Sequence, residues 1–325
     1  MKKALIVILV VMNIAAIVCA TSLFLNKPEE APEVPVYWEE MPPNTNENLK
    51  YFGYYHFGDD RVEEVASFGH SNMCKVDGDH EEDLMRLLDN GFQVFIMIRH
   101  MFFSDGEINP QWSEKWESVK TLINPHLDQI LGFYVDEPIK RNMPNSENVG
   151  KSKESFHFAC QKVREDYPNK RMMAVLTIFD IIYSDYSREY YQYCTDLGYD
   201  FYPTWNKDEV LDNVETLENS IAVGGQDIWL IPKAFYTVDY KEGDLYWLME
   251  DQTLPIGHDV LDWIKGSYEI AVEDQRIVGI FCFVYDNDTF TVPMRKFFLK
   301  ESEYYNEEVY GVYNQIGRAV IANDK

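Results

Sequence analysis

Eight apolar, β-branched and aromatic runs recur along this chain, and each is followed by a stretch of helical periodicity. The runs are Tyr51–Phe57, Asn72–Val76, Phe92–Arg99, Ile130–Glu137, Arg171–Ile178, Asp200–Trp205, Asp227–Phe235 and Ile277–Tyr285. Between them lie helical patterns at Arg61–Phe68, Glu81–Leu88, Trp112–Leu127, Ser152–Tyr167, Tyr186–Leu197, Val210–Asn219 and Asp259–Val272, and a last helix or pair of helices follows Pro293. The strand-like runs are continuous rather than alternating, as expected of strands covered on both faces. Strand–helix alternation repeated eight times closes into a parallel barrel, so the expected fold is α/β, a single (β/α)8 or TIM barrel over residues 49–325. A doubly wound open sheet competes. It would want a glycine-rich phosphate turn after the first strand, and Tyr54-Tyr55-His56-Phe57-Gly58-Asp59-Asp60 is not one.

What precedes the barrel has a different character. Lys2 and Lys3 lead into an uncharged stretch from Ala4 to Leu25, so residues 1–25 read as a signal peptide or an N-terminal membrane anchor. Val18-Cys19-Ala20 fits a small-residue cleavage pattern. Residues 26–48 are rich in Pro, Glu and Asn and read as a flexible tether. The expected location is therefore extracellular or on the cell surface, with the membrane contacted only through the N-terminal segment. The 29 basic and 55 acidic residues leave a formal charge of −26, which excludes nucleic acid as a partner, because phosphate binding needs the opposite sign. Cys74, Cys160, Cys194 and Cys282 lack metal-ligand spacing and read as buried free thiols, with a Cys160–Cys194 bridge as the alternative.

In a parallel barrel the residues that end the strands converge on one mouth. Strand four runs Ile130-Leu131-Gly132-Phe133-Tyr134-Val135 straight into Asp136-Glu137-Pro138. Pro138 disfavours the α region for Glu137, which sets the acidic pair where the strand stops. The other strand ends offer His56, Asp77, Arg99, Tyr202, Trp205, Tyr236, Tyr285 and Asp286 as substrate-binding candidates, with Thr177, Asp180 and Lys233 beside them. Aromatic faces mixed with carboxylates, and no phosphate cradle, suit a carbohydrate.

The Gly-Phe-Tyr-Val-Asp-Glu-Pro strand end resembles the fourth strand of TIM-barrel glycoside hydrolases. Asp200-Phe201-Tyr202-Pro203 resembles their sixth strand, and Ile231-Pro232-Lys233-Ala234-Phe235 is similar to the seventh strand of several members. The resemblance implies a glycosidase with Glu137 as general acid. Retaining members carry a nucleophilic Glu at the end of strand seven, where this chain has Lys233-Ala234-Phe235-Tyr236. An adjacent Asp-Glu pair on strand four is also a mark of hexosaminidases of families 20 and 123. There the substrate's 2-acetamido group is the nucleophile, so by resemblance Asp136 orients it and Glu137 is the acid. Tyr202 or Tyr285 would then bond the acetamido oxygen. Adjacent strand residues point to opposite faces, so the pair shares a mouth only if Glu137 has left the strand.

Two other classes of answer remain open at this level. One is a carbohydrate-binding barrel without catalysis, favoured by the missing strand-seven acid; the other is a structural surface domain. No cofactor and no metal is expected. A metallo-hydrolase barrel would want two histidines flanking one residue after strand one, and position 54 is Tyr54. Asp286-Asn287-Asp288 lacks the Gly and distal Glu of a calcium loop.

Overall fold

The computed structural model describes residues 36–55, 61–104, 107–138, 146–200, 206–236, 258–286 and 292–324. Its centre is a closed barrel of eight parallel strands. These are β1 Tyr51–Tyr54, β2 Met73–Asp77, β3 Gln93–Met97, β4 Ile130–Val135, β5 Arg171–Leu176, β6 Asp196–Asp200, β7 Asp227–Ile231 and β8 Ile277–Cys282. Pairing of Tyr51 with Gly279 joins β1 to β8 and closes the ring. The outer helices are α1 Val62–Phe68, α2 Glu81–Asp89, α3 Trp112–Ile123, α4 Ser146–Asp166, α5 Ser184–Tyr191, α6 Lys207–Thr216, α7 His258–Glu273 and α8 Glu307–Ile321. Among the described residues no helix is long and apolar enough to cross a membrane.

Period-two alternation sorts each strand between two cores. Phe52, Tyr54, Cys74, Val76, Phe133 and Val135 face outward and pack beneath the helices. Tyr55, Met73, Phe95, Tyr134, Trp229 and Phe281 fill the lumen. Two of the outer helices are started by a capping side chain: Asn206 accepts from the amides of Asp208 and Glu209 to begin α6, and Asn306 does the same for Glu308 and Val309 at α8.

At the amino-terminal end of the strands the lumen is closed by charge. The Arg171 guanidinium bonds Asp196, and reaches Asp227 Oδ2 at 2.7 Å. Trp229 Nε1 donates to Asp196 Oδ1 at 2.8 Å, and Tyr51 stacks on the Trp229 ring at 5.3 Å. Burial pushes the Asp196 carboxyl up, while Arg171 and the Thr195 and Trp229 donors work against that shift. A buried carboxylate is tolerated because its lone pairs are used.

The expected sixth strand, Asp200–Trp205, is displaced. The strand is Asp196–Asp200, and the preceding helix stops at Tyr191 rather than running to Leu197. The inward positions of this strand are Asp196, Gly198 and Asp200, so its inner face has no apolar signature. Strand four stops at Val135, two residues short of the expected Glu137. Within the stretch read as a tether, residues from Tyr37 onward belong to the same compact unit as the barrel. The Tyr37 and Trp38 amides donate to Gln315 Oε1, and Asn46 Nδ2 donates to the carbonyls of Ala271, Asp274 and Ile277. The four described cysteines are free and buried.

Candidate active site

The carboxyl ends of the strands form the second polar layer of the lumen. Tyr134, the inward residue of β4, precedes outward Val135, so Asp136 continues the inward phase. The Tyr55 hydroxyl, arriving from the end of β1, donates to Asp136 Oδ1 at 3.0 Å. The strand ends at Val135, so its alternation does not extend to Glu137. Its φ is 41°, a left-handed conformation that non-glycine residues seldom adopt and that is concentrated at functional sites. Asp136 and Glu137 are both half-buried, and Pro138 is buried behind them.

Around this pair lie the ends of β1, β2 and β5. Lys75 and Asp77 share the inward face of β2, with Lys75 Nζ 4.0 Å from Asp77 Oδ1. The same ammonium sits 5.2 Å from the centroid of the Tyr55 ring and 5.8 Å from that of Tyr134. Burial, followed by the charges of Asp136 and Asp77, holds the Tyr134 phenol well above its ordinary range, so it stays protonated. After β5, Asp180 is 1% exposed and fully used. It accepts from the Thr177 amide at 2.7 Å, the Thr177 hydroxyl at 3.0 Å and the Tyr191 hydroxyl at 2.6 Å. Burial pushes the Asp180 carboxyl up, the Glu137 charge adds to that, and the donors oppose it.

The remaining predicted residues are distributed as follows. Arg99 is half-buried in the short helix Arg99–Phe102 that follows β3. Tyr285 is buried in the outer core, and its hydroxyl donates to Glu64 Oε1 at 2.6 Å. Asp286 Oδ2 accepts from Arg61 Nε at 3.1 Å. Tyr236 is also in the outer core, on a small antiparallel sheet in which it pairs with Val292. Tyr285, Asp286 and Tyr236 are thus held by partners on the helix side of the barrel rather than grouped with Asp136. His56, Tyr202 and Trp205 lie outside the described residues. Lys233, at the seventh strand end, is buried against Asp259 at 2.6 Å. Among the described residues no group of three or more His, Cys, Asp or Glu side chains could hold a metal ion.

Tyr55 and Lys75 are the functional candidates that motif reading passes over. Their signal is alternation: once Asp77 faces inward so does Lys75, and once Tyr51 does so does Tyr55. Chemically, the arrangement offers one oriented carboxylate, Asp136, and one carboxyl at a backbone break, Glu137.

No family model matches the sequence, and no curated protein matches it. Solved structures do match the fold. A β-glycosidase is 9% identical, with a TM-score of 0.52 over 81% of this chain and 85% of that one. The AHE enzyme from Alicyclobacillus herbarius is 10% identical, with a TM-score of 0.52 over 79% and 92%. A Ruminococcus gnavus β-glucuronidase is 10% identical, with a TM-score of 0.52 over 83% of this chain and 50% of that one. The chain spans only 30% of a Bacteroides uniformis β-glucuronidase that it also matches, at 11% identity and a TM-score of 0.48. What this protein has in common with these glycoside hydrolases is the closed eight-stranded parallel barrel with its outer helices.

Proposed function

We propose that the chain is an exported glycoside hydrolase in which Glu137 is the general acid and Asp136 orients a 2-acetamido group of the substrate as the internal nucleophile. The observation that carries this reading is the break at Glu137. With φ at 41°, the residue lies outside strand geometry, so alternation does not oblige Asp136 and Glu137 to face apart, which supports the reading. The bond from Tyr55 to Asp136 supports an orienting role for that carboxylate. The solved glycosidases of similar fold support carbohydrate as the substrate class. Residues 1–25 would direct export or anchor the chain ahead of the compact unit that begins at Tyr37.

A retaining double displacement needs a second carboxylate about 5–5.5 Å from the acid. The seventh strand end supplies Lys233 instead, paired with Asp259, which favours substrate assistance. The same observation favours the second reading, a carbohydrate-binding barrel that turns nothing over.

Turnover of chromogenic hexosides and N-acetylhexosaminides by wild type and Glu137→Gln separates these readings. General acid–base assistance contributes on the order of 10²–10⁴ in rate, so its loss is readily measured. Activity confined to N-acetylated substrates and lost in Glu137→Gln supports the proposal. Turnover of plain hexosides sends the search to a second carboxylate. Binding of glycans without turnover moves the assignment to the binding barrel.

A further inference from the structure

We propose that Lys75 is a positioning residue for the Asp136 carboxylate, acting through Tyr55; this deepens the glycosidase reading and rests on it. The Lys75 side chain is 3% exposed, inside the barrel. Burying an ammonium is costly unless it is compensated, and a methionine would fill the same space without that cost. Packing alone therefore does not account for a cation here. Among the described residues, its neighbours include the faces of Tyr55 and Tyr134, at 5.2 and 5.8 Å to the ring centroids, and Asp77 Oδ1 at 4.0 Å. That carboxylate oxygen has no hydrogen-bond partner among the described residues, so its link to Lys75 is Coulombic rather than a short bond.

Uncharged rings also pack against Tyr55. Phe281 lies 4.4 Å away, Phe283 5.4 Å and Tyr134 6.0 Å between centroids. Lys75 is thus a cationic neighbour of a phenol whose hydroxyl donates to Asp136. A cation over an aromatic face is attracted by the ring's quadrupole and draws electron density from it, which strengthens the phenol as a hydrogen-bond donor. The ammonium fixes the ring, the ring aims the hydroxyl, and the hydroxyl sets the carboxylate that must meet the substrate. Among the described residues Lys75 meets Tyr55 from β1, Asp77 on its own strand and Tyr134 from β4.

The test is a cycle of Lys75→Met, Tyr55→Phe and the double variant, with kcat and KM measured on N-acetylhexosaminides. Each single variant is expected to lower kcat about 10–100-fold, because a misplacement of about 1 Å in a catalytic constellation costs on the order of 10² in rate. KM should change less than about threefold, and the double variant should be no slower than the worse single. Losses that multiply in the double variant, or a Lys75→Met enzyme that melts earlier but keeps its kcat, overturn the proposal. Lys75→Gln, which retains polarity without charge, replaces Lys75→Met if that chain does not fold. Wild-type inactivity on the panel overturns the glycosidase reading by itself. The cycle is then read from calorimetric Kd values for N-acetylglucosamine and its β-linked oligomers: non-additive losses support the relay, and additive losses or no binding overturn it.

Discussion

Gly279 of β8 leaves room for the indole of Trp229 on β7: a Cβ at position 279 would come within 2.3 Å of the ring. The tryptophan is fully buried, stacks on Tyr51 and donates to Asp196, so it has no free direction in which to move. Gly279→Ala must therefore push β8 away from β7. Overpacking of this kind costs about 1–3 kcal/mol. For a domain of this size that corresponds to a fall in Tm of roughly 2–4 °C for each kcal/mol. Thermal unfolding followed by circular dichroism checks it, and an unchanged Tm would show that the lumen is looser than its contacts imply.

His70 gives the fold a specific acid sensitivity. It is completely buried beneath α8, where Arg318 Nε donates to Asn314 Oδ1 at 2.7 Å. That bond fixes the Asn314 amide, which then donates Nδ2–H to His70 Nδ1 at 3.1 Å. His70 consequently carries its proton on Nε2, 2.7 Å from the Tyr54 hydroxyl. Burial, with the Arg318 charge behind it, lowers the imidazole from 6.5 to about 3. Below pH 6.5 the unfolded chain takes up a proton that the folded one refuses. The stability at stake is whole above that pH and is lost at about 1.4 kcal/mol per pH unit until the folded group titrates. His70→Gln should cost stability at neutral pH, and that deficit should shrink as the pH falls from 6.5 toward 4. Urea unfolding of both proteins across this range measures the difference; a constant deficit would mean that His70 is protonated in the fold.

The barrel itself was legible in the sequence because most of its eight runs are apolar on both faces, as Ile130–Val135 illustrates. The sixth strand was displaced for a physical reason. Asp196, Gly198 and Asp200 put no hydrophobic side chain into the lumen, and Asp196 is stabilised by Arg171 and Trp229 from two other strands. No local pattern carries that information. The same holds for the site. An apolar run that ends in two acids singles out Asp136 and Glu137, whereas no motif singles out Tyr55 or Lys75 until the register turns both inward.

Tyr285 illustrates the converse, a residue at a strand end that faces away from the mouth. Its hydroxyl bonds Glu64, which is also gripped by Arg295 Nε at 2.8 Å and Nη2 at 3.1 Å. Tyr285→Phe removes one donor from a charged acceptor that keeps its arginine. The expected loss of stability is about 1–2 kcal/mol. Turnover or glycan affinity should stay within about twofold of wild type. A large loss of activity without a loss of stability would bring Tyr285 back to the site.

Lys233 and Asp259 form the most secluded ion pair among those described, 2.6 Å apart with side chains 2% and 9% exposed. Asp259 stands in the first turn of α7, where the helix dipole favours a carboxylate. Lys233 comes from just past β7, so the pair ties a helix start to a strand end at the position where retaining barrel glycosidases would need an acid. Removing one partner leaves the other charge buried. Lys233→Met alone should therefore cost about 3–5 kcal/mol in urea unfolding. The double variant Lys233→Met/Asp259→Leu exchanges the pair for apolar volume, and should recover to within about 1 kcal/mol of wild type. Recovery of stability with full turnover would make Lys233 a structural substitute for the missing acid. Recovery of stability with turnover still lost would place the Lys233 ammonium in contact with substrate, and the seventh strand would then belong to the chemistry after all.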